Sequence, residues 1–115
     1  MRAALRTPEV SIIIPTNGRL EWLRRCLTSL AAQQDAPEFE LLVCASPNRA
    51  VHEVVNELIP TASVVELPNA GAVEKRNAVI PLARGELVLF LDDDVELPEH
   101  YLATLSAQAR RHPDV

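Results

Sequence analysis

Three consecutive carboxylates, Asp92, Asp93 and Asp94, follow directly on the apolar run Leu87-Val-Leu-Phe-Leu91. Along an extended chain alternate side chains face opposite ways, so Asp92 and Asp94 share one side and Asp93 takes the other. Two like charges on one side repel, and a divalent cation held by oxygen ligands relieves that repulsion. Magnesium and manganese favour carboxylate and phosphate oxygens, so Asp92 and Asp94 read as a metal site. A plainer reading competes. Asp is common in turns, and the acidic stretch from Asp92 to Glu99 precedes a helix expected to open at Pro98, where negative charge suits the helix dipole. Position favours the ligand site, because open α/β sheets bind ligands at the carboxyl ends of their strands and the triplet closes one.

A second group, Pro15-Thr16-Asn17-Gly18-Arg19, leaves another apolar run without the G-x-G-x-x-G that lets a backbone approach a dinucleotide pyrophosphate, which disfavours NAD or FAD. Thr16 and Asn17 can hydrogen-bond a base or ribose and Arg19 can meet a phosphate, although each alone is equally well a turn or capping residue. A third group, Asn69-Ala-Gly71-Ala-Val-Glu-Lys75-Arg76-Asn77, puts two bases at a helix entrance, where anions bind. On spacing alone a solvated helix face, with Glu74 balancing Lys75 and Arg76, is the simpler account. Arg84 most simply favours a helix C-terminus. His52, His100 and His112 are scattered, and Cys26 and Cys44 form no C-x-x-C, so both thiols are expected to be reduced core residues.

The elements that must position these groups follow from apolar periodicity. Val10-Ser-Ile-Ile-Ile, stopped by Pro15, reads as a strand buried on both faces. Leu20, Leu23, Leu27 and Leu30 mark a helix running to about Gln34, with Arg24, Arg25 and Thr28 turned away. Leu41 to Ala45 is a second strand, Ala50 to Leu58 a second helix and Ser63 to Leu67 a third strand. A helix from about Val73 to Ala83 is closed by Gly85 in a left-handed cap, then Leu87 to Leu91 forms a fully buried fourth strand before a last helix. Strands alternating with helices predict an α/β class fold, a doubly wound, mostly parallel sheet with helices on both faces and strand order 3-2-1-4. The gap between strands one and four is then the topological switch point, where Pro15 to Arg19 meets Asp92 to Asp94.

The 115 residues, 48% apolar with only three Gly, allow one globular domain. Eleven basic against 16 acidic residues give a net charge of −5, which argues against a nucleic-acid partner. Apolar runs are strand-sized and Met1 to Thr7 lacks a following h-region, so a cytoplasmic chain without a transmembrane segment is expected, with membrane association left open for a longer polypeptide. A four-stranded sheet ending at its metal strand would leave apolar surface bare, so self-association is expected.

Taken together, Val10-Ser-Ile-Ile-Ile-Pro15-Thr16 with Arg19, Arg25-Cys-Leu-Thr-Ser-Leu30, Phe39-Glu-Leu-Leu-Val43, Asn69 and Gly71 with Arg76-Asn77, and Ala83-Arg-Gly-Glu86 through Asp94 occur in an order and spacing that resembles the family 2 glycosyltransferases, which use the GT-A fold. The resemblance covers about residues 10–102. It implies a donor-binding half spanning residues 1–115, a nucleotide-diphosphate sugar of the UDP, GDP or dTDP type, and Mn2+ or Mg2+ bridging the diphosphate to a DxD motif. It places Asp92 and Asp94 as metal ligands, Asp94 the preferred direct one, and Asp93 near the ribose or sugar. Pro15, Thr16 and Arg19 would border the donor, and Arg76 its phosphates or sugar. The acceptor half and its general base would lie beyond residue 115, so that the catalytic base is not among these residues. Two departures stand out: Ala45-Ser46-Pro47 replaces an Asp pair after the second strand, and Asn17-Gly18 replaces an aromatic-Asn pair before Arg19. A degenerate, non-catalytic nucleotide-binding or interaction module is the alternative that these departures favour. Asp92-x-Asp94 also resembles the haloacid dehalogenase phosphatases, but Glu96 stands where that pattern wants Thr or Val, and the motif belongs there on a first strand.

Overall fold

A computed structural model describes residues 7–68 and 71–111, so Asn69, Ala70, His112 and the segment Met1–Arg6 lie outside the described residues. Four strands, β1 (Val10–Thr16), β2 (Phe39–Ala45), β3 (Ser63–Glu66) and β4 (Leu87–Phe90), form one parallel sheet in the order β3-β2-β1-β4. Four helices alternate with them: α1 (Leu20–Ala31), α2 (Arg49–Leu58), α3 (Ala72–Val79) and α4 (Tyr101–Arg111). The doubly wound order expected from the alternation of elements is the order observed.

The two central strands explain the layering. Every residue of β1 is buried, so side chains from both of its faces feed a core. Val10, Ile12 and Ile14 pack with Leu23, Leu27 and Leu30 of α1, Val51 and Val55 of α2 and Leu102 of α4 on one side. Ile13 turns to the other, with Leu42, Cys44 and Val79 of α3. Cys26 and Cys44 are free and buried, and burial pushes each thiol up to about 11, so neither is a nucleophile at neutral pH.

The ends of the strands differ from the sequence expectation, and the difference opens a cleft. Pro15 does not stop β1, which runs on to Thr16 in register with Ala45 of β2. On its other side β1 pairs with β4 only as far as Ile13. Since Ile13 O accepts from Leu91 N, the same edge of β1 at Pro15 faces a place where the ladder has already ended, and the missing proline N–H costs no bond. β1 therefore overshoots β4 and leaves a notch at the switch point.

Other local expectations give way to longer-range contacts. α3 ends at Val79 and continues as a 3₁₀ turn, Ile80–Leu82, around Pro81, whose ring cannot sit in a helix interior. Gly85 is not a left-handed cap: Gly18 alone among the described glycines has positive φ, at 83°. A Cβ at Gly85 would come within 2.6 Å of Ser11 N and 2.7 Å of Val10 C, so the glycine permits close approach to β1. Arg84 does not cap a helix; its backbone N and guanidinium both bond Glu40, which also accepts from Ser11 Oγ at 2.5 Å. β4 is an edge strand, with Val88 and Phe90 exposed rather than buried. An apolar groove of about 400 Å³ runs between it and α4, bordered by Leu87, Val88, Leu89 and Leu105. The last helix opens at Tyr101, whose N–H closes a turn onto Pro98 O, and not at Pro98 itself.

Candidate functional site

The notch beyond β4 is a polar cleft of about 240 Å³. Pro15, Thr16, Asn17 and Arg19 line it from β1 and its following turn, Lys75 and Arg76 from α3, and Asp92 to Asp94 from the chain leaving β4. Three basic and three acidic residues thus line one cleft. The groups singled out at the ends of two strands and at a helix entrance converge here; Asn69, named with the third group, lies outside the described residues.

The alternation expected of the Asp triplet holds, although the triplet lies beyond the last paired residue of β4. Leu91 and Asp93 are buried while Asp92 and Asp94 are exposed. Asp93 accepts from Thr16 Oγ1 at 2.7 Å and from Arg19 Nη2 at 2.6 Å, and this ties the β1–α1 turn to the end of β4. The Thr16 hydroxyl in turn accepts from Gly18 N at 3.1 Å, inside a turn that Gly18 allows by its positive φ. The hydrogen bond to Asp93 and then its charge raise the Arg19 guanidinium above its ordinary value, with Asp94 and Asp92 adding to it.

The outer carboxylates remain open to ligands. Asp92, 67% exposed at its side chain, meets Arg76 Nη2 at 3.1 Å; Asp94, 46% exposed, lies 3.8 Å from Arg19 Nη2. Arg76 also lies over the Phe90 ring, 5.8 Å from its centroid, and its buried Nε has no hydrogen-bond partner among the described residues. An orphaned buried donor beside two solvent-facing carboxylates fits a site for an anion and a cation together. Among the described residues no group of three or more His, Cys, Asp or Glu side chains is arranged to hold a metal alone. Asp92 and Asp94 fit a magnesium or manganese ion of the kind bound by one or two carboxylates and completed by phosphate oxygens and water.

Lys75 is the residue that sequence reasoning left on the surface. It is 1% exposed, and its ammonium donates to Thr16 O at 3.1 Å and Asn17 Oδ1 at 3.2 Å. Its neighbour Glu74 is exposed and forms no pair with it among the described residues. The local signal was present, a lysine one turn into a helix that also carries buried Val79, but a lysine in a charged run reads as solvated.

A parallel sheet with a polar, carboxylate-bearing cleft at its switch point defines a doubly wound α/β protein with its ligand crevice at the carboxyl ends of the strands. The particular family follows from comparison: residues 11–115 match the model of Glycosyl transferase family 2, and the chain belongs to that family. It is 37% identical to the O-antigen biosynthesis protein RfbC of Myxococcus xanthus over 95% of its own length and 9% of the relative's. With the poly(ribitol-phosphate) beta-N-acetylglucosaminyltransferase TarS of Staphylococcus aureus it shares 32% identity over 89% of its length and 19% of that protein's. The crystal structure of TarS superposes with a TM-score of 0.81 at 29% identity, covering 91% of this chain and 20% of the other. Residues 1–349 of TarS in complex with UDP superpose at 0.78, again at 29% identity, over 91% of this chain and 33% of that one. The chain therefore spans about a tenth to a fifth of the length of these curated relatives.

Proposed function

We propose that residues 1–115 form the donor-binding half of a glycosyltransferase that moves a sugar from a nucleotide diphosphate to an acceptor. The observation that carries the reading is the switch-point cleft, in which buried Asp93 fixes the turn while Asp92 and Asp94, each beside one arginine, keep solvent-facing oxygens. Family membership supports it, and the UDP complex of TarS makes UDP the first nucleotide to try, ahead of GDP and dTDP.

In this reading Pro15 and Thr16 border the nucleoside, and Arg19 and Arg76 approach the diphosphate from opposite walls of the cleft. Asp92 and Asp94 hold a divalent metal, Mn2+ or Mg2+, which when bound offsets the negative charge that builds on the leaving diphosphate. Arg76 adds to that role, because its unpartnered Nε and its Nη2 on Asp92 can both turn to phosphate oxygens. An acceptor hydroxyl oxygen displaces the nucleotide diphosphate at the anomeric carbon with inversion. Its proton passes to a general base expected beyond residue 115, in the acceptor half. The bare edge of β4 is the face against which that half, or a second copy of the chain, would pack. No described helix is long and apolar enough to cross a membrane.

The test is a calorimetric titration of UDP, GDP and dTDP with and without Mn2+. One nucleotide is expected to bind only when the metal is present, and that binding is expected to be lost in Asp94→Ala. Equal binding by the variant would remove Asp94 from the role.

A further inference from the structure

Lys75 is buried at the N-terminal end of α3, where the helix dipole favours anions, and its two hydrogen-bond partners are neutral oxygens. No described carboxylate pairs with it. A buried ammonium is costly unless hydrogen bonds compensate it, and here Thr16 O and Asn17 Oδ1 are the acceptors that do so. Lys75 does not reach out as a surface phosphate ligand would, because the Thr16–Asn17 turn lies against its head.

The chemistry of that contact fixes the orientation of Asn17. An ammonium only donates, so the side-chain atom facing Nζ must be the Asn17 oxygen and not its nitrogen. With Oδ1 held at 3.2 Å, the amide NH2 is the group presented elsewhere; Asn17 is exposed, lines the cleft, and no described residue accepts from that NH2. Without the lysine the amide would be free to rotate and offer either a donor or an acceptor.

We propose that Lys75 is a positioning residue that locks Asn17 as a hydrogen-bond donor toward a carbonyl or hydroxyl oxygen of the nucleoside. The inference rests on the donor-nucleotide reading above and deepens it. It also accounts for recognition in a chain with Ala45-Ser46-Pro47 after β2: the nucleoside is met on an acceptor atom by a neutral donor, and no carboxylate at that position is required.

The experiment titrates UDP and, separately, inorganic pyrophosphate into the protein with Mn2+ present. Lys75→Met keeps the volume and apolar stem, and is expected to weaken UDP about fivefold while leaving pyrophosphate within about twofold. Asn17→Ala, at an exposed turn that should tolerate it, is expected to give the same loss. The double variant is expected to lose no more than either alone, since both break one relay. Equal losses for UDP and pyrophosphate in Lys75→Met would mean that the charge acts on phosphates, and would overturn the proposal. So would unchanged UDP binding in Asn17→Ala, which decides the matter even if Lys75→Met does not fold. Failure of the unaltered protein to bind UDP while it still binds pyrophosphate would overturn the relay and leave the phosphate site standing; failure to bind either would overturn the donor reading and the relay with it.

Discussion

Asp93 differs from the carboxylates on either side in what it holds, and stability measurements separate the three. Its side chain is 5% exposed and accepts from the buried Thr16 hydroxyl at 2.7 Å. Asp93→Ala removes the acceptor and strands that hydroxyl donor, which costs about 1–3 kcal/mol for a buried polar group left unmade. The Arg19 guanidinium stands half in solvent and adds nothing that we count. Thr16→Val strands the carboxylate oxygen instead and also frees Gly18 N, with a loss of similar size, about 1–2 kcal/mol. Because each single change already breaks the one bond, the double variant should fall short of the sum by about 1 kcal/mol. Asp92→Ala and Asp94→Ala remove solvent-facing groups and should stay within about 0.5 kcal/mol of the unaltered protein. Urea unfolding is the assay: at an m-value of about 2 kcal/mol/M, the Asp93→Ala midpoint should drop by about 1 M with the slope unchanged. An Asp93→Ala midpoint no lower than that of Asp92→Ala, or strictly additive losses with Thr16→Val, would refute the assignment.

Gly85→Ala places a methyl group against Ser11 N and Val10 C, backbone atoms that cannot swing away, and should cost about 1–3 kcal/mol in the same assay; a variant as stable as the parent would show that the approach to β1 is not obligatory. For Glu40, burial alone would raise the carboxyl, but bonds from Ser11 Oγ, Arg84 N and the Arg84 guanidinium outweigh it and hold the group below its usual 4.5. A carboxyl depressed in the folded state contributes stability above its unfolded pKa and loses it as pH falls through the folded value. Stability should therefore decline as pH falls below about 4.5, and Glu40→Gln should flatten that part of the curve in unfolding experiments run from about pH 6 to 3; an unchanged slope would remove Glu40 from the acid response.

The elements were legible where one segment's periodicity settles its structure. Leu23, Leu27 and Leu30 need only a helix, and Val10 to Ile14 only a doubly buried strand, so the layers and the order β3-β2-β1-β4 followed from their alternation. What failed depends on partners far along the chain. Whether Pro15 ends a strand is decided by β4, more than seventy residues later, which stops pairing before the proline is reached. Arg84 looked like a helix cap until Glu40, 44 residues away, claimed it. Lys75 looked solvated because nothing near it in sequence says that the Thr16–Asn17 turn, 58 and 59 residues earlier, closes over it. The Asp triplet is the instructive middle case. Burial alternates without a break from Leu87 to Asp94, and Leu91 N still bonds Ile13 O, so the extended chain carries the strand's period past its last paired residue. That period sets Asp93 apart from Asp92 and Asp94, a division that sequence alone supplies; the fold shows that Asp93 is the inward one. Only the fold adds that the inward carboxylate is already bonded to Thr16 and Arg19, which is why the metal is proposed on the outward pair.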